Sequence, residues 1–384
     1  MAYTVLARRY RSTDFDEVIG QEAIARTLQN AIKLNRVAHA YLFCGTRGVG
    51  KTSMARIFAK ALNGGKDEID AAIMSGKDTD VIEIDAASNN SVDNARELIA
   101  NAAYRPLRGK KKIYIIDEVH MLSTAAFNAL LKTMEEPPEH VMFILATTDP
   151  QKVPATIQSR CQRFDFRNIP ASLIAEHLTD VLKKEGVSAE PELVFQIARL
   201  GNGSMRDALS LLDRVIASGE KKLTVKTLEE LLGLPARELL SQLLDAFVEG
   251  EPARALESGD TLLKRGISID QVLESLMERL RDILILATCG EKSDLVELSD
   301  ETRKNEAARS AKFDPAAIVH MIAMIENIQR SAKGSACPRA LFDACLVRLA
   351  LTDRLADATS VLREAKGEAR VETRPAAGAA AKKR

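Results

Sequence analysis

The chain has 384 residues, of which 46% are hydrophobic and 28% charged, so it is long enough for two or three globular domains. Its 54 basic and 54 acidic side chains cancel, it contains no Trp, and no run approaches the roughly 18 apolar residues of a membrane span. Net charge therefore does not mark a nucleic-acid binder, and stacking platforms for single strands and membrane insertion are not expected. The five cysteines form no C-x-x-C pair and the N-terminus has no apolar signal region, which predicts a cytoplasmic protein with reduced thiols.

Strand-like and helix-like segments alternate over the first 168 residues. Helical spacing of apolar residues is clear at Ile24, Leu28, Ala31 and Ile32. Four short apolar runs are typical of buried strands: AYLFC (40–44), VIEI (81–84), KIYIID (112–117) and VMFILATT (141–148). This alternation predicts an α/β domain with a parallel sheet covered by helices.

Beyond RNIPAS (167–172) the strand signals fade and the chain is predicted to be all-α to about residue 365. Apolar stripes at helical spacing support this: Ala208/Leu211/Leu212/Val215, Leu240/Leu243/Leu244/Phe247, Ile318/Met321/Ile322/Ile325 and Phe342/Cys345/Leu346/Leu349. Such stripes normally form the core of a helical bundle, and the alternative is a groove for a partner helix. Residues 366–384 lose all periodicity and are predicted to be a disordered tail.

The segment GTRGVGKT (45–52) fits the phosphate-loop pattern G-x-x-x-x-G-K-[ST] between a predicted strand and a predicted helix. Its glycines allow the backbone to curl so that N–H groups face phosphate, and the helix N-terminus adds a favourable dipole. Lys51 is expected to reach the β- and γ-phosphates of ATP, and Thr52 to ligate Mg²⁺. The predicted nucleotide contacts of the loop are Gly45, Thr46, Arg47, Gly48, Val49, Gly50, Lys51 and Thr52.

Two strand ends carry further polar groups. In IYIIDEVH (113–120), Asp117 is placed to hold Mg²⁺ and Glu118 to polarise an attacking water, whereas an isolated acidic pair would be a solvated turn. In ILATTDP (144–150), Thr148 is expected to orient water near the γ-phosphate, and the alternative is a turn cap. The phosphate loop favours the functional interpretation of both.

Two arginines complete the pattern. Arg160 in SRC (159–161), beyond the last predicted strand, is either a surface ion-pairing residue or an arginine finger for the ATP of a neighbouring subunit. Arg206 in GNGSMRDALSLLD (201–213) begins a helix, from which it is expected to reach the phosphates bound by its own chain.

In this order, the motifs resemble those of the AAA+ ATPases. The stretches DFDEVIGQE, HAYLFCGTRGVGKTS, YIIDEVHMLS and FNALLKTMEEPPEHVMFILATTDPQKVPATIQSRCQRF are similar to the gamma/tau subunits of bacterial DNA polymerase III clamp loaders. The similarity is dense to about residue 220 and looser beyond. It implies a P-loop ATPase core at 1–168, a helical lid with sensor 2 at 169–223, a collar for oligomerisation at 224–365 and a tail at 366–384.

The resemblance also implies a function. ATP binding and hydrolysis would drive loading of a sliding clamp onto primer–template DNA, within a ring of delta-type and delta-prime-type subunits and copies of this chain. Single-strand-binding protein would be an indirect partner, and no membrane is expected. Lys51, Thr52, Asp117 and Glu118 would form the site in cis. Thr148 would be sensor 1, Arg160 the finger in trans and Arg206 sensor 2. The adenine-contacting segment would include Ala7, Arg11, Val18 and Ile19.

The chain departs from that family in two places. It has Ser12 where the family usually has proline, which we expect to matter little. The family also usually inserts a four-cysteine zinc module before VIEIDAAS. This chain has NGGKDEIDAAIMSGKDTD there, without cysteine, so zinc is not expected and a short helix, DEIDAAIMS, is predicted.

Alternatives remain at this point. A catalytically silent delta-prime-like scaffold would lack an intact phosphate loop or acidic pair, and both are intact here. A different DNA-dependent AAA+ enzyme, such as a branch-migration motor or a helicase loader, is disfavoured by the SRC arginine and the helical collar. The basic cluster RGKKK (108–112) is either a solvated loop or a DNA contact. The ending resembles the short gamma form rather than the longer tau form.

Overall fold

The computed structural model describes residues 3–293 and 295–352, and the chain forms two compact units that divide between Val225 and Lys226. The first unit has five strands in its main sheet: β1 Ala40–Cys44, β2 Val81–Asp85, β3 Lys112–Asp117, β4 Val141–Thr147 and β5 Gln162–Asp165. Its helices up to β5 are α1 Leu6–Arg9, α2 Glu22–Lys33, α3 Lys51–Asn63, α4 Asp67–Ser75, α5 Val92–Ala102, α6 Thr124–Glu135 and α7 Ala155–Gln158.

The five strands form one parallel sheet in the order β2-β3-β4-β1-β5. The predicted parallel sheet and its four apolar strands are confirmed, with β4 ending at Thr147 instead of residue 148. The fifth strand was not predicted, and the expectation that SRC lies beyond the last strand is wrong. β5 is a largely exposed edge strand with one aromatic residue, Phe164, among three polar ones, so its sequence lacks the apolar run of a central strand.

Alternate residues of the central strands supply two hydrophobic cores, one on each face of the sheet. Tyr41 and Phe43 of β1 pack with α2 and α3, whereas Leu42 packs with α5 and α6 on the other face. All three side chains are fully buried. Because both faces are covered, the carboxyl ends of the strands are the open edge, where polar side chains can meet a ligand.

Three further helices complete the first unit: α8 Ala171–Glu185, α9 Pro191–Leu200 and α10 Met205–Ile216. They carry the predicted stripe, in which Ala208, Leu212 and Val215 are buried. Two short strands, β6 Ser188–Ala189 and β7 Lys222–Leu223, pair in parallel beside them. The prediction of helices alone in this region was therefore wrong in detail, since a two-residue pair carries too little sequence pattern to be seen.

The second unit is helical in the part that the structure describes. Its helices are α11 Val225–Leu232, which begins at the division, α12 Arg237–Glu249, α13 Pro252–Lys264, α14 Ile269–Cys289, α15 Asp300–Ser310, α16 Pro315–Ala332 and α17 Pro338–Ala350. The three predicted apolar stripes lie in α12, α16 and α17 and belong to one hydrophobic core, which confirms the bundle interpretation.

Helix α15 is held differently from its neighbours. Glu306, which is 4% exposed, pairs with Arg279 of α14 and, at 2.9 Å, with Arg309, whose guanidinium reaches Asp245 of α12 at 3.0 Å. Burial would raise the pKa of Glu306, but the two guanidinium groups outweigh it and hold that pKa below its usual range. Ion pairs therefore attach this helix to α12 and α14.

The predicted tail at 366–384 and the end of the predicted collar at 353–365 lie outside the described residues. Across residues 3–293 and 295–352, no helix combines the length and hydropathy that crossing a bilayer requires.

Candidate nucleotide site

The loop between β1 and α3 has the geometry of a phosphate cradle. Gly48 and Gly50 adopt φ of 77° and 102°, a region that side-chain-bearing residues rarely enter, and α3 begins at once with Lys51. The Lys51 ammonium donates hydrogen bonds to the carbonyl oxygens of Gly45 and Thr46 at 2.7 and 2.8 Å. Burial lowers the pKa of Lys51, and the carboxylates of the site oppose that shift.

A hydroxyl and a carboxylate meet beside this loop. The Thr52 hydroxyl donates to Asp117 Oδ2 at 2.6 Å, joining the first turn of α3 to the carboxyl end of β3. This is a cluster of hard oxygen ligands, the type that Mg²⁺ prefers. The two residues predicted as metal ligands therefore lie together.

Glu118 follows in a strained conformation. Its φ of 48° and ψ of 43° lie in the left-handed region, and its N–H donates to the Asp117 carboxylate at 2.9 Å. Its own carboxylate accepts a hydrogen bond from the Thr148 hydroxyl at 2.9 Å. Of the two adjacent hydroxyls, Thr148 faces this carboxylate, whereas Thr147 is fully buried and contacts Nδ1 of His120 at 3.0 Å.

A cleft of about 410 Å³ opens over the loop. Most of the predicted site residues line it, namely Arg47, Gly48, Val49, Gly50, Lys51, Thr52, Asp117, Glu118 and Arg206, and so do all four predicted adenine contacts, Ala7, Arg11, Val18 and Ile19. Burial and the nearby Arg56 lower the pKa of Arg11. The cleft is thus lined by basic, acidic and apolar side chains together.

Four predicted residues are not among those that line the cleft. Gly45 lies behind the loop, where an added Cβ would come within 2.6 Å of the Phe166 carbonyl oxygen. The Thr46 hydroxyl bonds Asn168 at 2.6 Å. Thr148 does not line the cleft itself, but its hydroxyl donates to Glu118, which does.

Arg160 is the fourth, and it lies apart from the cleft of its own chain. Its guanidinium pairs with Glu135 of α6 and donates to the Thr156 carbonyl at 2.6 Å. The side chain remains 32% exposed, so it is accessible from outside the chain.

Several residues that line the cleft were not predicted from the sequence. Tyr10 stands beside the predicted Arg11, and His177, Met205 and Leu209 come from α8 and α10. Burial lowers the pKa of His177, which favours the neutral ring. Nothing local in the sequence marks these side chains, because only the folding back of α8 and α10 brings them over the loop.

The region expected to lack zinc forms the predicted short helix. Helix α4 has the predicted bounds, Asp67–Ser75, and ends at Gly76 in the left-handed conformation. In the described part of the chain, no group of three or more His, Cys, Asp or Glu side chains is arranged to hold a metal ion. The absence of zinc stays a prediction.

Comparisons with known proteins cover almost the whole chain. A family model described as DNA polymerase III, delta subunit, matches residues 20–170, and one described as DNA polymerase III clamp loader subunit, ATPase lid domain, matches residues 173–221. A third, described as DNA polymerase III subunits gamma and tau domain III, matches residues 223–364.

Individual relatives agree. The DNA polymerase III subunit gamma of Buchnera aphidicola is 40% identical over 295 residues, which are 74% of this chain and 81% of that protein. The chain belongs to the gamma/tau family. The subunit tau of Escherichia coli is 42% identical over 323 residues, covering 81% of this chain and 50% of the relative. This gamma/tau chain spans about half the length of the first curated relatives it matches.

The gamma/tau chain has the fold expected of the AAA+ class, a parallel five-stranded sheet with helices followed by a helical region. A solved structure, the Holliday junction branch migration motor RuvB of Thermotoga maritima, is similar with a TM-score of 0.46 and 19% identity, covering 62% of this chain and 80% of that one. At that TM-score the likeness does not bear on function. We refer below to α8–α10 as the lid, after the family model that matches them.

Proposed function

We propose that this gamma/tau chain is an ATP-hydrolysing motor subunit of the DNA polymerase III clamp loader. The observation that carries the proposal is the convergence of Lys51, Thr52, Asp117 and Glu118 on one cleft at the carboxyl ends of the strands. A chain that served only as a scaffold would not need the Asp117 and Glu118 carboxylates in that cleft. Membership of the gamma/tau family supports the assignment of this motor to the clamp loader.

The residues present fit ATP and Mg²⁺. The open glycine loop supplies backbone N–H groups for phosphate, and the Thr52–Asp117 pair supplies oxygen ligands for the cation. Bound Mg²⁺ would neutralise charge on the β- and γ-phosphates. The Lys51 ammonium lies at the loop, where it donates hydrogen bonds to two loop carbonyls. Phosphate would replace these carbonyls as its partner.

Glu118 and Thr148 are proposed to handle the attacking water. The hydrogen bond from Thr148 leaves the second oxygen of the Glu118 carboxylate available to accept from water. The contact also fixes the rotamer of the carboxylate, so the carboxylate is oriented toward water before the reaction begins. Arg206, on the lid side of the cleft, is proposed to stabilise phosphate charge in cis.

Arg160 is proposed to act on the ATP of a neighbouring subunit. Its separation from the cleft of its own chain and its partial exposure support this role. Its ion pair with Glu135 would hold the guanidinium in place until a neighbour's phosphates compete for it.

The remaining parts of the proposal rest on the family. They are a ring with delta-type and delta-prime-type subunits and further copies of this chain, action on a sliding clamp and primer–template DNA in the bacterial cytoplasm, and indirect contact with single-strand-binding protein. The domain limits 1–168, 169–223, 224–365 and 366–384 are proposed on the same basis, supported by the family-model matches to 20–170, 173–221 and 223–364.

An ATPase assay with added clamp and primed DNA tests the proposal. The purified chain, assembled with delta-type and delta-prime-type subunits, should hydrolyse ATP faster when both are present. Lys51→Ala should abolish that hydrolysis, because the ammonium that stabilises phosphate charge is lost. Lys66→Ala, at an exposed loop position after α3, is the matched control and should leave the rate unchanged. An intact wild-type assembly whose ATPase ignores the clamp would refute the clamp-loader assignment.

A further inference from the structure

The N-terminal segment of residues 3–14 forms one wall of the cleft but has little structure of its own. Ala7, Tyr10 and Arg11 line the cleft, and helix α1 in this segment is a single turn. A helix of one turn is unstable by itself, because fixing its backbone costs more than one hydrogen bond returns. Contacts with the rest of the chain must therefore set the shape of this wall.

One carboxylate of the lid holds the start of the segment. Asp213 of α10 accepts hydrogen bonds from the Tyr3 hydroxyl and, at 3.3 Å, from the backbone N–H of Leu6. The first of these bonds raises the pKa of Tyr3 above its usual value. The Leu6 side chain is 1% exposed although the Tyr3 side chain beside it is 69% exposed. Asp213 thus fixes both a side chain and the backbone at the first residue of α1.

A second lid carboxylate holds the end of α1. Glu185, the last residue of α8, accepts a hydrogen bond from the Tyr10 hydroxyl and pairs with the Arg9 guanidinium. The guanidinium of Arg9 and the ammonium of Lys184 also lie 5.4 and 5.8 Å from the centroid of the Tyr10 ring. The hydroxyl bond raises the pKa of Tyr10, and the ring is thereby fixed where it lines the cleft.

The far end of the segment is tied to the other side of the site. The Lys60 ammonium on α3 donates to the Thr13 carbonyl at 2.6 Å and lies 3.1 Å from an Asp14 carboxylate oxygen. Helix α3 is the helix that begins at the phosphate loop. The segment therefore connects the lid to the helix that follows the phosphate loop.

We infer that Asp213 and Glu185 are positioning residues for nucleotide binding. They hold the wall formed by residues 3–14 in place, so a nucleotide that touches both this wall and the phosphate loop binds best when the lid is in the arrangement seen here. By linkage, binding such a nucleotide favours that arrangement of the lid. The inference rests on the proposed ATP binding and adds to it the groups that couple the nucleotide to the lid.

The test compares two ligands on the full chain by titration calorimetry with Mg²⁺ present. We expect ATP to contact the wall as well as the phosphate loop and Arg206, whereas inorganic tripolyphosphate lacks the adenosine that would reach the wall. Asp213→Ala and Glu185→Ala should each weaken ATP binding about tenfold, the loss expected for a charge-assisted hydrogen bond, and leave tripolyphosphate binding unchanged. Tyr3→Phe removes one exposed hydroxyl and should weaken ATP binding by about threefold.

Glu176→Ala is the matched control, an exposed carboxylate on α8, and should change neither affinity. If Asp213→Ala fails to fold, the expected losses of ATP affinity in Tyr3→Phe and Glu185→Ala still test the inference. ATP affinities equal to wild type in the folded variants would overturn the inference, and so would a parallel loss for both ligands, which would indicate general loosening. A wild-type chain that does not bind ATP would instead overturn the proposed function, and this inference with it.

Discussion

Replacing Gly48 by alanine tests how closely the phosphate loop is packed against the lid. The added Cβ would lie 1.9 Å from the Ser204 Oγ, 3.0 Å from the Ser204 Cβ and 3.2 Å from the Arg206 Cβ. Either the Ser204 hydroxyl would have to leave its capping position or the start of α10 would have to move. Gly48 also has a φ of 77°, which costs an alanine about 1–2 kcal/mol. Gly219 offers a matched control, because it has the same φ of 77° and no heavy atom within 4 Å of an added Cβ.

The two variants separate backbone strain from the lid contact. Gly219→Ala should lower the free energy of unfolding by about 1–2 kcal/mol, from the strain alone. Gly48→Ala should lower it by a further 1–3 kcal/mol or so, the usual cost of overpacking. It should also weaken ATP binding, which Gly219→Ala should not. At about 2–4 °C per kcal/mol for 150–250 residues, the extra loss is measurable by thermal unfolding.

A second-site change completes the experiment. Ser204→Gly removes the hydroxyl that the new Cβ would meet, and as a change at the N-cap of α10 it costs only a few tenths of a kcal/mol or so. Combined with Gly48→Ala, it should recover the free energy of unfolding that was lost to overpacking, together with most of the ATP affinity. The reasoning is refuted if Gly48→Ala unfolds at the same temperature as Gly219→Ala, or if Ser204→Gly restores nothing.

Two other predictions use single substitutions, and a third uses alkylation of the unaltered chain. Arg160→Ala should leave ATP binding by the isolated chain unchanged and slow hydrolysis about 10³-fold in the assembled ring; an equal loss in the isolated chain would show that Arg160 acts in cis. Asp80 accepts three backbone N–H bonds, which lower its pKa although burial opposes them. Asp80→Asn should therefore cost about 1.5–3 kcal/mol at pH 7 in denaturant unfolding. That difference should shrink as the pH falls below about 4 and through the lowered pKa, because the wild-type carboxylate then protonates too, and a difference that did not shrink at all between pH 7 and pH 2 would contradict it. Partial burial raises the pKa of Cys161 to about 12, so at pH 8 iodoacetamide should alkylate the exposed Cys289 and Cys337 first, as followed by mass spectrometry; faster labelling of Cys161 would contradict the raised pKa.

The sequence was a good guide wherever one segment contains the whole signal. The phosphate loop, the acidic pair after β3 and the central strands all combine an apolar run with polar residues at fixed spacing, and each lies where expected. The helix α4 was also predictable, because Asp67 and Glu68 favour its N-terminus and Gly76 its end.

What the sequence did not reveal depends on distant contacts. β5 is a strand because β1 offers it a partner, and its own residues are mostly exposed. His177 and Leu209 line the cleft only because the lid folds over the loop, and a helical stripe does not say what it will cover. The ion pairs of α15 were equally hidden, since charged residues on a helix usually face solvent.

The backbone at Glu118 has a consequence for how this chain can change. A left-handed glutamate is less stable by about 1–2 kcal/mol than the glycine that would suit the same φ of 48°. A substitution that relaxed the backbone would therefore make the domain more robust to heat while removing the carboxylate that faces Thr148. Because we propose that Glu118 polarises the attacking water, stability and turnover would favour different residues at this position, and a search for heat-resistant variants of this chain would tend to select slower ones here.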